Sequence, residues 1–213
     1  MQKMKTLYRI MDCGLIAVIR AESTEQAIHM VDAVKAGGID AIEITMTVPR
    51  AIKVIEALSE KYDDDILIGA GTVLDSETAR AVILAGARFV VSPYLNVEMV
   101  RLCNRYQIVS MPGAMTVKEV VEAMECGVDL VKFFPGSLFG PEAIKAILGP
   151  LPQAALCPTG GVSVANAAAW IKAGAVCLGT GGELTKGAKT GDYALITRTA
   201  EQFVAAVREA KNN

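Results

Sequence analysis

Short apolar segments alternate with longer amphipathic segments along the whole chain. The apolar segments are strand-sized, and the segments between them carry hydrophobic residues at helical spacing, as in Thr24–Ala36, 49–61 and 76–85. Eight strands are predicted, at residues 15–19, 41–45, 66–70, 89–92, 108–111, 130–133, 155–159 and 176–179. The pattern is therefore a regular repetition of β-α units.

Turn signals mark the joints between these units. Four helical segments are followed, just before a strand, by a glycine suited to the left-handed end of a helix, in Ala36-Gly37-Gly38, Ala85-Gly86-Ala87, Cys126-Gly127-Val128 and Ala173-Gly174-Ala175. Ser23 and Asp75 precede helical segments and offer capping side chains. No Ser/Pro-rich linker interrupts the pattern, so we expect one domain spanning residues 1–213.

Eight β-α units in 213 residues predict an α/β protein with a single (β/α)₈ TIM barrel. The polar, helix-like segment before the first strand adds an extra N-terminal helix. A doubly wound open sheet is the alternative, but the first β-α turn lacks the G-x-G-x-x-G pattern typical of it. In a barrel, functional side chains lie at the carboxyl ends of the strands, and the unusual residues of this chain cluster there.

Composition excludes several classes of protein. Hydrophobic residues make up 52% of the chain and charged residues 21%, which is typical of a globular protein with a sizeable core. The net charge of -2 and the absence of a basic block argue against nucleic acid as a partner. Apolar runs are too short to span a membrane, and five scattered cysteines favour a reduced, cytoplasmic protein.

Two charged residues stand inside otherwise apolar predicted strands. Lys132 belongs to the sixth strand and Glu43 to the second. Side chains alternate between the two faces of a strand, so both residues face the barrel interior while their neighbours face the helices. The second and sixth strands are opposite each other in an eight-stranded ring, so the two side chains are expected to meet across its axis.

A lysine in such a strand indicates covalent chemistry. Burial disfavours the charged form of a lysine, and the neutral amine is a nucleophile towards a carbonyl carbon. Glu43 is then the candidate for general acid–base catalysis, directly or through a water molecule. The alternative is a structural ion pair that fills the core.

Glycine turns follow the last two strands and suggest an anion site. They contain Thr159, Gly160 and Gly161 after the seventh strand, and Gly181 and Gly182 after the eighth. Barrels often bind phosphate with the backbone N–H groups of these two loops. The alternative is that the glycines serve tight turns alone.

Other polar residues at strand ends complete the candidate site. Arg20 follows the first strand and is either an anion ligand or a solvent-facing side chain. Thr72 follows the small residues that close the third strand and offers a hydroxyl to a carboxylate. Lys186 lies beyond the last glycine turn and is expected to be solvated. His29, the only histidine, falls in the middle of a helix, so no metal site is expected.

Five motifs together resemble the 2-keto-3-deoxy-6-phosphogluconate (KDPG) and 4-hydroxy-2-oxoglutarate (KHG) aldolase family, which are class I pyruvate aldolases. The motifs are Glu43-Ile44-Thr45, Gly69-Ala70-Gly71-Thr72-Val73, Val91-Ser92-Pro93, Val131-Lys132-Phe133-Phe134-Pro135 and Pro158-Thr159-Gly160-Gly161. The resemblance covers nearly the whole chain. It implies that Lys132 forms the Schiff base and Glu43 shuttles protons. It also implies that Thr72, Pro93 and Phe134 frame pyruvate, that the glycine turns hold phosphate, and that the protein is a homotrimer.

Two positions depart from the pattern of the family. Some members carry a carboxylate-binding arginine four residues after the glutamate, where this chain has Thr47, so Arg20 or backbone groups must compensate. Some members carry a serine in the last glycine turn, where this chain has Gly182. Both departures concern substrate preference rather than the chemistry at Lys132.

The resemblance implies a lyase without a cofactor. The expected reaction is reversible cleavage of 2-dehydro-3-deoxy-6-phosphogluconate to pyruvate and glyceraldehyde 3-phosphate, with cleavage of 4-hydroxy-2-oxoglutarate to pyruvate and glyoxylate as a second reaction. A 2-dehydro-3-deoxy-6-phosphogalactonate aldolase is one alternative, although that family has a proline where Thr45 stands. A non-catalytic phosphosugar-binding barrel would have no need for Lys132. An epimerase or isomerase barrel would be expected to show paired acids or a histidine at the strand ends.

Overall fold

A curled parallel sheet surrounded by helices forms the framework of the molecule, and the computed structural model describes residues 2–212. The strands are β1 Leu15–Ile19, β2 Ala41–Thr45, β3 Leu67–Gly71, β4 Phe89–Val91, β5 Val109–Met111, β6 Gly113–Ala114, β7 Val131–Phe133, β8 Leu156–Pro158 and β9 Leu178–Thr180. The α-helices are α1 Gln2–Cys13, α2 Thr24–Ala36, α3 Ala51–Tyr62, α4 Ser76–Leu84, α5 Val97–Tyr106, α6 Val117–Glu125, α7 Glu142–Leu148, α8 Val164–Lys172 and α9 Tyr193–Asn212.

The strands are grouped into two parallel sheets. Six strands pair in the order β5-β4-β3-β2-β1-β9, and three pair in the order β6-β7-β8. A bridge between Thr159 and Gly179 links the two groups, and the Val176 N–H donates to the Leu156 carbonyl at 3.0 Å. The α/β class and the parallel pairing predicted from the sequence are confirmed. The strands are divided between two hydrogen-bonded sheets, whereas one closed ring of eight strands was predicted.

The division arises at Pro112. One fifth strand was predicted over 108–111, but the chain forms β5 and then the two-residue β6, which makes nine strands in residues 2–212. Proline has no N–H to continue a ladder. The Met111 carbonyl still accepts from Ser92 beside β4, whereas the Pro112 carbonyl accepts from the Lys132 N–H in β7 at 2.9 Å. The chain therefore changes its pairing partner at this residue.

Local signals at the helix ends act as the sequence predicts. The Ser23 hydroxyl accepts from the Gln26 N–H at 3.1 Å, and the Asp75 carboxylate accepts from the Thr78 N–H at 2.6 Å. Left-handed backbone conformations end four helices, at Gly38, Gly86, Gly127 and Gly174. The predicted caps and glycine helix ends are confirmed.

Two hydrophobic clusters lie on the two faces of the curled sheet. Val131 and Phe133 belong to the cluster between the sheet and the helices, whereas Leu130 and Phe89 belong to the cluster inside the curl. Ile10 of the extra helix α1 is fully buried in the inner cluster. Because α1 leads directly into β1, it covers the amino-terminal ends of the strands. The candidate site residues lie at the opposite, carboxyl ends.

The helices in residues 2–212 include none with the length and apolar character needed to cross a membrane. The five cysteines are all free thiols.

Candidate active site

Lys132 and Glu43 meet inside the curled sheet. Lys132 lies on β7 between Gly113 of β6 and Cys157 of β8, and Glu43 lies on β2. Both side chains are almost fully buried, with relative exposures of 4% and 2%. The Nζ atom of Lys132 lies 3.9 Å from Oε1 of Glu43. Strand alternation therefore brings the two groups together as the sequence predicts.

The hydrogen bonding of this pair favours chemistry over packing. Among residues 2–212, Oε1 of Glu43 has no hydrogen-bond partner although it is buried. A separation of 3.9 Å is too long for a hydrogen bond, and an unsatisfied buried polar group costs about 1–3 kcal/mol. A structural ion pair would be expected to satisfy its own acceptors. Within residues 2–212 this carboxylate oxygen therefore remains available as an acceptor for a bound molecule or water.

Gly71 makes room for the Glu43 carboxylate. A Cβ at Gly71 would lie 2.5 Å from Cγ of Glu43, and closer still to its Cδ and Oε1. Any other residue at the end of β3 would therefore displace the carboxylate from this position. The sequence shows a run of small residues here, but it does not show which side chain they accommodate.

Residues predicted to frame the reacting carbonyl lie beside this pair. The Phe134 ring centroid is 5.1 Å from Nζ of Lys132. The backbone of Pro93 packs against Gly113, the β6 partner of Lys132, so closely that a Cβ at Gly113 would overlap the Pro93 carbonyl. Thr72 follows Gly71 with a left-handed φ of 59°, a strained conformation that costs about 1–3 kcal/mol in a residue other than glycine and is typical of functional sites.

A cleft of about 330 Å³ opens next to Phe134 at the carboxyl ends of the strands. Its lining combines residues of β1, the loop after β7 and both glycine turns: Val18, Arg20, Phe134, Thr159, Gly160, Gly161, Val162, Ser163, Gly179, Gly181, Gly182 and Glu183. The structure thus brings together Arg20, Phe134 and all five predicted residues of the glycine turns. Thr72 and Pro93 lie at the same end of the sheet, outside this lining.

The glycines in the cleft differ in what they do. Gly160 and Gly161 adopt left-handed φ values of 90° and 72°, and a Cβ at Gly161 would lie 2.8 Å from Ser137. Turn geometry therefore requires glycine at Gly161. A Cβ at Gly182 would meet nothing within 4 Å. The absence of a side chain at Gly182 leaves open space in the cleft instead.

The N-terminus of α8 borders the cleft. Ser163 and Asn166 form a capping box, in which the Ser163 N–H donates to Oδ1 of Asn166 at 2.8 Å and the Asn166 N–H donates to the Ser163 hydroxyl at 3.3 Å. The Val164 N–H donates to Oε2 of Glu183 at 3.0 Å. Sequence reasoning missed Glu183. Lys186 is exposed, as expected, and lies outside the cleft lining.

The family model for KDPG and KHG aldolases matches residues 8–199. The chain belongs to this aldolase family. It is 38% identical over 200 residues to the 2-dehydro-3-deoxy-6-phosphogalactonate aldolase of Escherichia coli K12, covering 92% of this chain and 95% of the relative. It is also 35% identical over 193 residues to the KHG/KDPG aldolase of the same strain, covering 89% of this chain and 90% of the relative.

A solved member of the family is similar in both sequence and structure. The KDPG aldolase of Legionella pneumophila, with pyruvate captured as a covalent carbinolamine intermediate, superimposes with a TM-score of 0.80 at 34% identity. The similarity covers 88% of this chain and 92% of the Legionella chain.

The exposed residue Thr47 presents a neutral hydroxyl just after β2. The Thr47 hydroxyl lies 2.7 Å from the Thr45 hydroxyl, which also donates to the Ile19 carbonyl at 3.2 Å. Thr47 is thus tied to the end of β2 by a hydrogen bond. Arg20 is the cationic residue in the lining of the neighbouring cleft.

Other reactive groups lie outside the lining of the cleft. His29 is exposed and packs edge-on against Tyr193, with ring centroids 5.2 Å apart. Burial raises the pKa of Cys103 to about 12, which suppresses its thiolate form. A hydrogen bond with Cys157, together with burial, raises the pKa of Cys177. Within residues 2–212, no three histidine, cysteine or acidic side chains gather into a potential metal site.

Proposed function

We propose that this chain is a class I aldolase that reversibly cleaves 2-dehydro-3-deoxy-6-phosphogluconate to pyruvate and glyceraldehyde 3-phosphate, with cleavage of 4-hydroxy-2-oxoglutarate as a second reaction. The observation that carries this proposal is the buried Lys132, 3.9 Å from a Glu43 oxygen that has no hydrogen-bond partner among residues 2–212. Membership of the family and the named reactions of its relatives support the choice of substrate.

The proposed reaction begins at Lys132. Its neutral amine attacks the C2 carbonyl carbon, and loss of water from the carbinolamine gives an iminium that can accept an electron pair. Glu43, through a water molecule, removes the proton of the C4 hydroxyl. The C3–C4 bond then breaks, its electrons form an enamine, and the aldehyde leaves. Protonation of the enamine and hydrolysis release pyruvate and regenerate Lys132.

The remaining site residues are assigned to substrate binding. Thr72, Pro93 and Phe134 frame the pyruvate portion around Lys132. The glycine turns and Arg20 hold the far, phosphorylated end of the substrate in the cleft. Support for this division comes from Phe134, which lies under Lys132 Nζ and also lines the cleft. No cofactor is required, because the iminium stabilises the developing carbanion.

A closed (β/α)₈ barrel in one domain over residues 1–213 is the architecture that we infer for this function. The bridge between Thr159 and Gly179 and the hydrogen bond from Val176 to Leu156 support closure of the ring between β8 and β9. On the other side, the change of pairing at Pro112 connects β5 to β6 within one continuous segment.

We further infer a cytoplasmic homotrimer. Exposed apolar side chains at the carboxyl ends of the strands are consistent with an interface between copies of the chain: Leu74, Tyr94, Met115, Leu138 and Phe139. Light scattering coupled to size-exclusion chromatography measures the mass in solution, and a monomeric mass would contradict this part of the proposal.

Cleavage of the C4 epimer, 2-dehydro-3-deoxy-6-phosphogalactonate, is the second candidate function. The 38% identical relative named for that substrate favours it. Thr45, which occupies the position of a proline in the galactonate aldolases, favours the gluconate substrate. Both epimers therefore belong in the same assay.

Steady-state rates on both epimers and on 4-hydroxy-2-oxoglutarate test the proposal. The gluconate epimer is expected to give the highest kcat/KM. Glu43→Gln keeps the shape of the side chain but removes the base, so kcat should fall roughly 10²–10⁴-fold. Glu60→Gln, an exposed change on α3, makes the same change in charge and should retain wild-type kcat. A wild-type kcat in Glu43→Gln would reduce Glu43 to a structural partner of Lys132.

A further inference from the structure

An internal carboxylate occupies the anion-binding end of α8. Helix N-termini attract anions because their first N–H groups lack partners within the helix and carry partial positive charge. In this chain the Val164 N–H already donates to Oε2 of Glu183 at 3.0 Å. Asn166 and Ser163 satisfy each other's N–H groups in the capping box. An incoming phosphate thus meets a helix end at which the Val164 and Asn166 N–H groups already have acceptors.

Glu183 also alters the charge of the cleft. Its lining includes one cationic residue, Arg20, and one acidic residue, Glu183. The charges of these two side chains offset each other, so the attraction of the cleft for a phosphate dianion is left mainly to the backbone N–H groups of the glycine turns. Electrostatic repulsion between the phosphate and the Glu183 carboxylate weakens the binding of the phosphorylated substrate. An unphosphorylated substrate is not affected in this way, because its hydroxyl at the same position is neutral.

We propose that Glu183 is a specificity-determining residue that weakens the binding of the substrate phosphate. This inference rests on the proposed aldolase function and on the assignment of the cleft to the far end of the substrate. A phosphorylated substrate must either displace the Glu183 carboxylate from the Val164 N–H or bind beside it. Both routes lower the affinity for the phosphate. With Glu183 present, the protein therefore prefers phosphorylated over unphosphorylated 2-keto-3-deoxy acids less strongly than it would without this carboxylate.

Gly182 provides the room that the first route needs. An ideal Cβ at Gly182 would have no neighbour within 4 Å, so the space beside the half-buried Glu183 is open. Removal of the negative charge at Glu183 should therefore strengthen phosphate binding by either route. Glu183→Gln keeps an oxygen that can accept from the Val164 N–H. The variant therefore tests the effect of the negative charge separately from the hydrogen bond that caps α8.

The experiment compares kcat/KM for 2-keto-3-deoxy-6-phosphogluconate with kcat/KM for the same acid without its phosphate. The two substrates differ only at the group in question. In Glu183→Gln, the ratio of the two values should rise about tenfold over wild type, mainly through a lower KM for the phosphorylated acid. Inorganic phosphate should inhibit cleavage of the unphosphorylated acid more strongly in this variant. Glu183→Asp, which keeps the charge, should show a smaller rise.

Controls separate this inference from the function on which it rests. Glu60→Gln makes the same change in net charge on the exposed face of α3 and should keep the wild-type ratio. Circular dichroism checks that each variant is folded. Reductive trapping of pyruvate on Lys132 tests the aldolase function independently of the phosphate end. If trapping persists while the ratio stays constant or falls in Glu183→Gln, the inference about Glu183 is overturned and the aldolase proposal stands.

Discussion

The contact between Gly71 and Glu43 makes a demanding prediction about catalysis. In Gly71→Ala the new Cβ would lie 2.5 Å from Cγ of Glu43, whereas real Cβ atoms keep at least 3.0 Å from other heavy atoms. The overlap with the carboxylate is larger still, so Oε1 must move by roughly 1 Å or more. Misplacement of a catalytic group by 1 Å can cost about 10²-fold in rate. We therefore expect kcat to fall about 100-fold.

The stability of Gly71→Ala should change less than its activity. Insertion of a methyl group into a packed interior typically costs about 1–3 kcal/mol, and Gly71 has a strand conformation that alanine can adopt. Urea unfolding measures this cost, and steady-state cleavage measures kcat. Pyruvate should still be trapped on Lys132, because the amine is not displaced.

Gly149→Ala is the matched control for this substitution. A Cβ at Gly149, at the end of α7, would approach the nearest atom at an ordinary 3.4 Å. This variant should keep the wild-type kcat. A folded Gly71→Ala protein with wild-type kcat would refute the reasoning, since it would show that turnover does not depend on the position of the Glu43 carboxylate.

Two further predictions concern the cleft and the stability of α6. Gly182→Val should lower kcat/KM for the phosphorylated substrate much more than for 4-hydroxy-2-oxoglutarate, because valine fills the open space; equal losses in a folded variant would contradict the assignment of the cleft. Hydrogen bonds from the Met115 N–H and the Thr116 hydroxyl lower the pKa of Glu119. A lowered folded-state pKa contributes stability above the ordinary carboxyl range and loses it as pH falls. Glu119→Gln should therefore cost about 0.5 kcal/mol from pH 7 to about 5, measured by urea unfolding, and less at lower pH; a difference that stays the same as the pH falls below about 5 would contradict the linkage.

Signals that are local in the chain predicted most of the framework. Buried parallel strands appear as short apolar runs, so β1 and β2 are found at the predicted bounds. A charge within such a run is conspicuous, and strand alternation then fixes the face to which it points. The meeting of Lys132 and Glu43 could be predicted for this reason.

Contacts between distant segments were not predictable in the same way. The residues after Pro112 form a strand of only two residues, which carries no periodic pattern of its own. Glu183 has the appearance of an ordinary surface acid in the sequence, and only the packing of the last glycine turn against α8 brings it to Val164. Gly71 belongs to a visible run of small residues, but the side chain that it accommodates lies on the neighbouring strand.

Reductive trapping of pyruvate tests the central claim most directly. Borohydride added to the protein with pyruvate should attach a three-carbon adduct to one peptide, and mass spectrometry should locate it on Lys132. Lys132→Arg should abolish both the adduct and cleavage. An adduct on a different lysine, or full cleavage by the wild-type protein with no adduct, would contradict the assignment of Lys132 as the Schiff-base residue.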